Sequence, residues 1–222
     1  MTWLLDRARG PAGSLHDRVV AAARSVTVCE VERPAVVLGR AQPAEDVDVA
    51  RASARGVEVA RRRSGGGAVL LVPGRVVWID VVVPAGDRLW LDDVGHAFWW
   101  LGEVWAETLR SLGVPAPAVH RGGLRAAPWS AKVCFAGLGP GEVSVGEAKV
   151  VGVSQRRTRD AALFQCGCLL EWDPAPLLDV LALSDEERAA AAVALTGAGL
   201  GIGGGGVDSE AVEAAFIAAL PG

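Results

Sequence analysis

The stretch that decides the fold is Arg61-Arg62-Arg63-Ser64-Gly65-Gly66-Gly67-Ala68-Val69, where three guanidinium groups and three glycines precede a strand-like run. Glycine adopts positive φ and lacks the side chain that would keep a ligand away from the backbone. Successive N–H groups in such a loop can form an anion-binding nest beside the arginines. The alternative is a tight, Arg-flanked β-turn, and neither GxGxxG nor GxxxxGK[ST] spacing is present. The loop by itself fits both interpretations.

A second segment contains Lys149, one of only two lysines in the chain, and reads Gly146-Glu147-Ala148-Lys149-Val150-Val151-Gly152-Val153-Ser154-Gln155-Arg156-Arg157. Together with the arginine–glycine loop, it resembles the lipoate-protein ligase and octanoyltransferase family, within the biotin/lipoate ligase group. That family has an Arg-Arg-x-Ser/Thr-Gly-Gly loop followed well downstream by Gly-x-Lys-x-x-Gly-Ser-x-Gln-Arg. Both signatures occur here in the family's order, and the resemblance runs from about residue 36 to residue 172.

Composition sets limits on the class of protein. A chain of 222 residues that is 51% apolar has enough length for one folded domain with a substantial core, so we expect a single catalytic domain over 1–222. The net charge of −4 does not suggest nucleic-acid binding, and the partner is expected to be a small molecule or a protein. No apolar run reaches the length of a membrane span, and the N-terminus lacks the order of a signal peptide, which predicts a cytoplasmic protein without a membrane partner.

The periodicity of the chain predicts an α+β fold with mainly antiparallel sheets flanked by helices. Helices are predicted over 14–23, 46–55, 92–112, 184–195 and 208–220, and strands over 26–31, 35–40, 57–60, 68–72, 75–83, 133–135, 142–145, 148–153 and 162–172. Pro73-Gly74 predicts a hairpin between the fourth and fifth of these strands. The glycines of 197–206 predict a mobile linker before the last helix. The resemblance implies a core like that of class II synthetases and biotin ligases.

Two residues are the candidates for catalysis. The resemblance assigns Lys149 to the acyl carbonyl, where an ammonium group would stabilise an oxyanion. The alternative is a surface lysine on a strand. Cys134, in Cys134-Phe135 before the motif lysine, resembles the nucleophilic cysteine of some octanoyltransferases of the family. A thiolate near an ammonium has the lowered pKa that thioester exchange requires, whereas the alternative is a small buried hydrophobe.

The predicted ligand-binding residues lie in the two signature segments. They are Arg62, Arg63, Ser64, Gly65, Gly66, Gly67 and Ala68 in the loop, with Gly152, Val153 and Ser154 on the facing strand. The other cysteines, Cys29, Cys166 and Cys168, are too irregularly spaced for a disulfide framework, and the three histidines are scattered. We therefore predict no structural metal.

Departures from the family leave the acyl donor open. Leu70-Leu71 follows the glycine loop where ligases have His-Asp, and the Asn-Asp-Leu element with which ligases hold ATP and magnesium is missing. An ATP-dependent ligase using lipoate and a transferase using an octanoyl thioester both remain open, with ATP and Mg²⁺ in doubt. The alternative from another functional class is a non-catalytic acyl- or cofactor-binding module. Biotin-protein ligase is the least favoured function, because the sequence of the loop differs from that of biotin ligases.

The resemblance also implies the protein partners. The acceptor would be a lysine of a lipoyl-carrier domain, such as a glycine-cleavage H-type protein or a 2-oxo acid dehydrogenase subunit. An acyl-carrier protein would deliver an octanoyl thioester.

Overall fold

A computed structural model describes residues 2–222 as two β-sheets and six α-helices. The seven-stranded sheet has the order β1-β2-β6-β10-β9-β8-β7, and the three-stranded sheet has the order β4-β3-β5. The strands are β1 (Leu4–Gly10), β2 (Ser25–Val31), β3 (Ala35–Leu38), β4 (Glu58–Arg61), β5 (Val69–Leu71), β6 (Val76–Pro84), β7 (Pro117–Val119), β8 (Val143–Val145), β9 (Ala148–Arg157) and β10 (Ala161–Leu169). The helices are α1 (Ala12–Asp17), α2 (Val49–Ala54), α3 (Trp99–Ser111), α4 (Ala175–Val180), α5 (Asp185–Leu195) and α6 (Ser209–Ala219).

The strand pairings confirm the predicted α+β fold with mainly antiparallel sheets. Only the β1–β2 and β3–β4 pairs are parallel among the strands of residues 2–222, and every other paired strand runs antiparallel to its neighbour. Within the same part of the chain, no helix combines the length and the apolar character needed to cross a bilayer.

Strand β6 explains how the layers stack, because its nearly continuous apolar run is buried on both faces. Its odd-numbered residues over 77–83 pack in one core cluster with Trp105 of α3 and Phe216 of α6. Val76 and Trp78 pack in another cluster with α1 and the small sheet. Alternation of side chains along a strand therefore places helices α3 and α6 on one face of the large sheet and the small sheet on the other.

The predicted hairpin at Pro73-Gly74 is wrong. Strand β5 pairs with β3 of the small sheet, whereas β6 pairs with β2 and β10 of the large sheet. The turn residues are present, but they carry the chain from one sheet to the other. A turn signature reports only local backbone geometry, and the partner of a buried strand is selected by packing across the molecule.

Three other element predictions need correction. The strand predicted at 133–135 is a single bridge between Val133 and Ala68, followed by a 3-10 turn at Cys134–Ala136. The first helix is α1, which ends at Asp17, and the long helix α3 begins at Trp99 after a 3-10 turn. The two edge strands of the large sheet, β1 and β7, were not predicted.

The glycine-rich segment before α6 makes backbone hydrogen bonds to two strands of the large sheet. The amide of Lys149 donates to Ala198, the amide of Leu200 donates to the Lys149 carbonyl, and the amide of Ile202 donates to Leu169. The helix predicted over 184–195 is confirmed as α5, and it begins with a capping box in which Ser184 and Glu187 each accept a hydrogen bond from the other's backbone amide.

Close backbone contacts explain two glycines around the arginine–glycine loop. A Cβ on Gly39, at the end of β3, would lie 1.8 Å from the carbonyl oxygen of Gly66. A Cβ on Gly67 would lie 2.5 Å from the amide nitrogen of Val133. The loop is therefore held between β3 and the segment that contains Cys134, at distances that only glycine permits.

Substitution within the loop tests this packing. Gly67→Ala forces backbone atoms apart and should lower the free energy of unfolding by about 2 kcal/mol. Gly65→Ala is the matched control, because a Cβ at Gly65 meets no atom within 4 Å and its φ is not positive. Urea unfolding of the three proteins measures both effects, and equal stability of the two variants would contradict the packing described.

Candidate active site

A cavity of about 230 Å³ lies between the two sheets and is called the inter-sheet cavity below. Nine of the predicted site residues line it: Arg62, Gly65, Gly66, Gly67, Cys134, Lys149, Gly152, Val153 and Ser154. Three others, Arg63, Ser64 and Ala68, are not among its lining residues. The fold therefore brings residues of both signature segments, which are far apart in sequence, to one cavity.

The floor of the inter-sheet cavity carries little side-chain volume. Gly152 of β9 lies directly opposite Gly167 of β10, and Gly167 lies opposite Trp78 of β6. The two adjacent glycines leave space above the sheet, and the Trp78 ring bounds this space on the β6 side. Val69 and Leu71 of β5 face the same space from the small sheet. This shape suits a narrow, largely apolar ligand.

Lys149 is buried in this cavity rather than exposed on a strand, since its side chain is only 3% exposed. Its ammonium nitrogen Nζ lies 2.7 Å from Oε2 of Glu142 and donates to the carbonyl oxygens of Cys134 at 3.0 Å and Gly137 at 3.2 Å. The three acceptors match the three N–H bonds of the ammonium group. The group also lies 4.9 Å from the centre of the Phe135 ring.

A β-bulge beside Lys149 contributes to its orientation. Ser144 of β8 pairs with Lys149, but the neighbouring Val143 pairs with Val151, so the register shifts between the two strands. Bulges of this kind redirect side chains locally. The backbone of Lys149 is fixed on its other edge by the bridge to Gly199.

Glu142 is a site residue that the sequence reasoning missed. Its carboxylate accepts hydrogen bonds from the amides of Gly139 at 2.6 Å and Val153 at 3.2 Å, besides pairing with Lys149. A buried ammonium group needs such a partner, because desolvation of an unpaired charge costs several kcal/mol. The only sequence signal was an acidic residue just after Gly139-Pro140-Gly141 and before an apolar strand.

Cys134 is the one cysteine of the four that lines the cavity without being fully buried. Cys29, Cys166 and Cys168 are buried, and burial raises the pKa of each thiol, to about 12 for Cys168. The amide of Cys134 donates to the carbonyl of Ala68, and its own carbonyl accepts from Lys149. The backbone at Cys134 is thus fixed between the glycine loop and the buried lysine.

Arg62 holds the shape of the loop from inside. Its guanidinium donates four hydrogen bonds to main-chain carbonyls: two to Gly65, one to Gly67 and one to Val37. The side chain is buried, with 5% of the residue exposed. These contacts leave the guanidinium mainly engaged with the protein itself.

The three predicted residues outside the cavity have other contacts. Arg63 is half-exposed and pairs with Asp17 at 3.1 Å. The Ser64 hydroxyl donates to that of Ser154 at 3.0 Å, which links the loop to strand β9. Ala68 is buried and bonds through its backbone to the segment before Cys134.

A polar group on the β6 side of the cavity was also missed. The His16 imidazole of α1 lies 4.4 Å from the Trp78 ring, and Trp78 Nε1 donates to Asp80 at 2.7 Å. Asp80 also accepts from Gln165 at 3.3 Å and lies 3.8 Å from the Arg18 guanidinium. These residues come from three elements distant in sequence, so no local motif signals them.

Burial shifts two pKa values in this group in opposite directions. Desolvation lowers the pKa of His16 from 6.5 to about 4; Gln165 opposes the shift, and the charge of Arg62 adds to it. Desolvation raises the pKa of Asp80 from 3.8 to about 6, against the hydrogen bonds from Trp78 and Gln165. His16 is therefore neutral at pH 7.

The cationic side chains of the cavity already have partners in the protein. Phosphate oxygens commonly take charge-assisted hydrogen bonds from such side chains. The two cations lining the cavity, Arg62 and Lys149, are already bonded to carbonyls and to Glu142. Among residues 2–222, no cluster of three or more His, Cys, Asp or Glu side chains is placed to hold a metal ion.

The fold is that of lipoate-protein ligases. A bi-partite lipoate protein ligase from Thermoplasma acidophilum, described with its E2 lipoyl domain, superposes with a TM-score of 0.72 at 22% identity, covering 97% of this chain and 80% of that one. A lipoate-protein ligase A bound with ATP gives a TM-score of 0.70 at 20% identity, covering 99% and 84%. At these identities the likeness shows the fold alone.

The sequence gives the family. Residues 14–199 match the lipoyl protein ligase A/B catalytic domain, and the chain belongs to that family. A curated relative, octanoyltransferase LipM of Kyrpidia tusciae (strain DSM 2912 / NBRC 15312 / T2), is 34% identical over 152 residues. The match covers 67% of this chain and 55% of the relative, so the chain spans little more than half the length of that protein.

Thiol labelling tests the environment of Cys134. Ellman's reagent should react with one thiol in the native protein and with all four after unfolding, because reactive cysteines are those with access to solvent. Cys134→Ala should abolish the native reaction, whereas Cys166→Ala should leave it unchanged. Labelling of Cys29, Cys166 or Cys168 before Cys134 would contradict the burial described.

The opposed pKa shifts predict a pH effect on stability. Between pH 6.5 and 4 the unfolded chain binds a proton at His16 that the folded protein does not, so stability falls as pH falls. Between pH 6 and 3.8 the folded protein holds a proton at Asp80 that the unfolded chain lacks, so stability rises as pH falls. The two effects oppose each other over the shared range.

Asp80→Asn removes the effect of Asp80 on the pH dependence of stability and leaves that of His16. As the pH falls from 6 to 4, the free energy of unfolding of the variant should decrease relative to that of the wild type by about 1.4 kcal/mol for each pH unit. Urea unfolding at several pH values measures the difference, with the exposed Asp185→Asn as control. A constant difference between variant and wild type across this range would show that Asp80 ionises normally in the fold.

Proposed function

We propose that this protein transfers an octanoyl or lipoyl group from a thioester to a lysine of a lipoyl-carrier domain, through Cys134 and Lys149. The observation that carries the proposal is the placement of both residues in one inter-sheet cavity, with Lys149 Nζ 3.0 Å from the Cys134 carbonyl. The side-chain-poor floor at Gly152 and Gly167 offers space for an acyl chain beside them. The name of the curated relative, an octanoyltransferase, supports the same reaction class.

The reaction consists of two exchanges at the acyl carbon. The Cys134 thiolate attacks the donor thioester, a new C–S bond forms, and the donor's sulfur leaves and takes up a proton. The acceptor lysine, as a neutral amine, then attacks the Cys134 thioester. An amide bond forms, the amine loses a proton, and the Cys134 thiol is regenerated. Covalent catalysis of this kind divides one difficult transfer into two easier steps.

Lys149 is proposed to stabilise the oxyanion of each tetrahedral intermediate. Its three N–H bonds already have acceptors, so the ammonium group must exchange one of them for the acyl oxygen. The carbonyl of Gly137, at 3.2 Å, is the most distant of the three and the natural one to release. Glu142, 2.7 Å from the Lys149 Nζ, would hold the ammonium group in place while this exchange occurs.

A thioester donor agrees better with the cavity than ATP does. Arg62 donates four hydrogen bonds to main-chain carbonyls, and Val69, Leu71 and Val76 give the cavity an apolar lining. The acceptor would be a lipoyl domain, which is consistent with the structural relative described with its E2 lipoyl domain. An acyl-carrier protein would be the donor of the octanoyl thioester.

Intact-mass analysis of an apo lipoyl domain tests the reaction. Incubation with the protein and an octanoyl-carrier thioester should add one octanoyl group. Cys134→Ala removes the nucleophile and should abolish the transfer. Lys149→Met should lower the rate by about 100-fold or more, since removal of an oxyanion donor has effects of that size. Lys132→Met is the matched control, because this second lysine pairs with Asp46 and does not line the cavity.

Parallel reactions with lipoate, ATP and magnesium separate the alternatives. A mass gain only in that arm would replace the thioester route by an ATP-dependent ligase. Absence of any gain, with ligand binding retained, would favour a non-catalytic acyl-binding module. Full activity of Cys134→Ala with the thioester would remove the covalent step from the proposal.

A further inference from the structure

Trp78 separates the inter-sheet cavity from a second cavity that the proposed reaction does not use. The second cavity has a volume of about 210 Å³, similar to the 230 Å³ of the first. It is lined by residues of β2, β6 and α6 and is called the β2–α6 cavity below. Trp78, Leu71 and Val76 line both cavities. These three side chains therefore form the partition between the two spaces.

The indole ring of Trp78 is held firmly in this partition. Its Nε1 donates to Asp80 Oδ1 at 2.7 Å, and the His16 ring packs on it with 4.4 Å between ring centres. Trp78 is 5% exposed and belongs to the core cluster that contains Leu15 and Cys29. A side chain that is both close-packed and hydrogen-bonded keeps one rotamer. The partition is therefore a fixed boundary of the inter-sheet cavity.

The distance from the reacting groups to Trp78 corresponds to an acyl chain of medium length. Lys149 packs beside Gly152, where a Cβ would lie 3.2 Å from its Cε. From Gly152 the row crosses Gly167 to Trp78, which is two strand spacings, or about 10 Å. With carbon–carbon bonds of about 1.5 Å and near-tetrahedral angles, an extended eight-carbon chain is about 9 Å long and a twelve-carbon chain about 14 Å. A chain whose carbonyl lies at Lys149 therefore meets the Trp78 ring at about its eighth carbon.

The space between these two ends suits unsubstituted hydrocarbon. Val69, Leu71 and Val76 line it with apolar side chains. At Gly167, halfway along the row, a Cβ would lie 3.6 Å from the nearest Val76 carbon, which is ordinary contact. The glycine thus leaves open a space that a methyl group could fill. At about 230 Å³ the cavity is also smaller than the roughly 300–1,000 Å³ of sites for drug-sized ligands.

We propose that Trp78 limits the acyl chain to about eight carbons, and that loss of its ring joins the acyl site to the β2–α6 cavity and admits longer chains. The inference rests on the proposed function in taking the inter-sheet cavity as the acyl site. It goes further by naming the residue that determines chain-length specificity. Gly167 has the complementary role of keeping the path to Trp78 open.

Calorimetric titration with straight-chain saturated acids of four to twelve carbons tests the length limit without any transfer reaction. For the wild type, affinity should rise about 4-fold per methylene up to octanoate. Dodecanoate should bind about 10-fold or more weakly than octanoate, because its last carbons have no space. Trp78→Ala should bind dodecanoate about 10-fold or more tightly than octanoate.

Trp90→Ala is the matched control for this change. Trp90 also donates its indole N–H to an aspartate two residues further along the chain, Asp92, but it lines neither cavity. The control should keep the wild-type preference for octanoate. If Trp78→Ala does not fold by circular dichroism, Trp78→Leu takes its place, because leucine retains apolar contacts and still removes the ring.

Gly167→Ala tests the path independently of Trp78. The added methyl group narrows the cavity halfway along, so octanoate should bind about 10-fold more weakly, whereas butyrate, which ends before that point, should bind as it does to the wild type. Gly123→Ala is the matched control, because a Cβ there meets no atom within 4 Å, its φ is not positive and it lies outside the cavity.

The outcomes separate this inference from the proposed function. Affinity that still rises from octanoate to dodecanoate in the wild type, or the same length limit in a folded Trp78 variant, would overturn the role of Trp78 even if a lipoyl domain is acylated. Absence of binding by every acid would overturn it as well. A length limit that disappears with the Trp78 ring would support it even if no lipoyl domain is acylated.

Discussion

The buried ion pair between Lys149 and Glu142 is the interaction on which the site depends. Taking both charges out of water is costly, and close contact repays that cost only when the remaining donors and acceptors are satisfied. In this site they are satisfied, because Glu142 accepts hydrogen bonds from two backbone amides and Lys149 donates hydrogen bonds to two backbone carbonyls. One of those carbonyls belongs to Cys134, so the pair ties the segment that carries the thiol to strand β9.

Glycines supply the space that this pair requires. Gly39 and Gly67 let the arginine–glycine loop lie directly on its neighbours, while Arg62 fastens the loop by bonding to its carbonyls. Gly152 leaves room for the Lys149 stem. Arg62, which the sequence suggests as an anion ligand, therefore mainly stabilises the conformation of the loop. The cavity is for this reason closer in character to an acyl site than to a phosphate site.

The cavity is also asymmetric in its chemistry. A charged, fully bonded cluster stands at the Lys149 side, and a neutral polar wall around His16 stands across the sheet. An apolar floor and wall separate them. The two sides of the cavity therefore differ in charge, and its apolar lining lies between them.

The sequence by itself determined the family, the α+β class, most of the strands and the two signature segments that meet in the cavity. These features are encoded locally, in periodicity and in glycine and lysine spacing. It could not determine that β5 and β6 belong to different sheets, because strand partners are chosen by packing between distant segments. Nor could it find Glu142 or His16 as site residues, or show that Arg63 lies outside the cavity. Those roles depend on which side chains the tertiary structure buries together, and burial is what gives an isolated charge or ring its chemical significance.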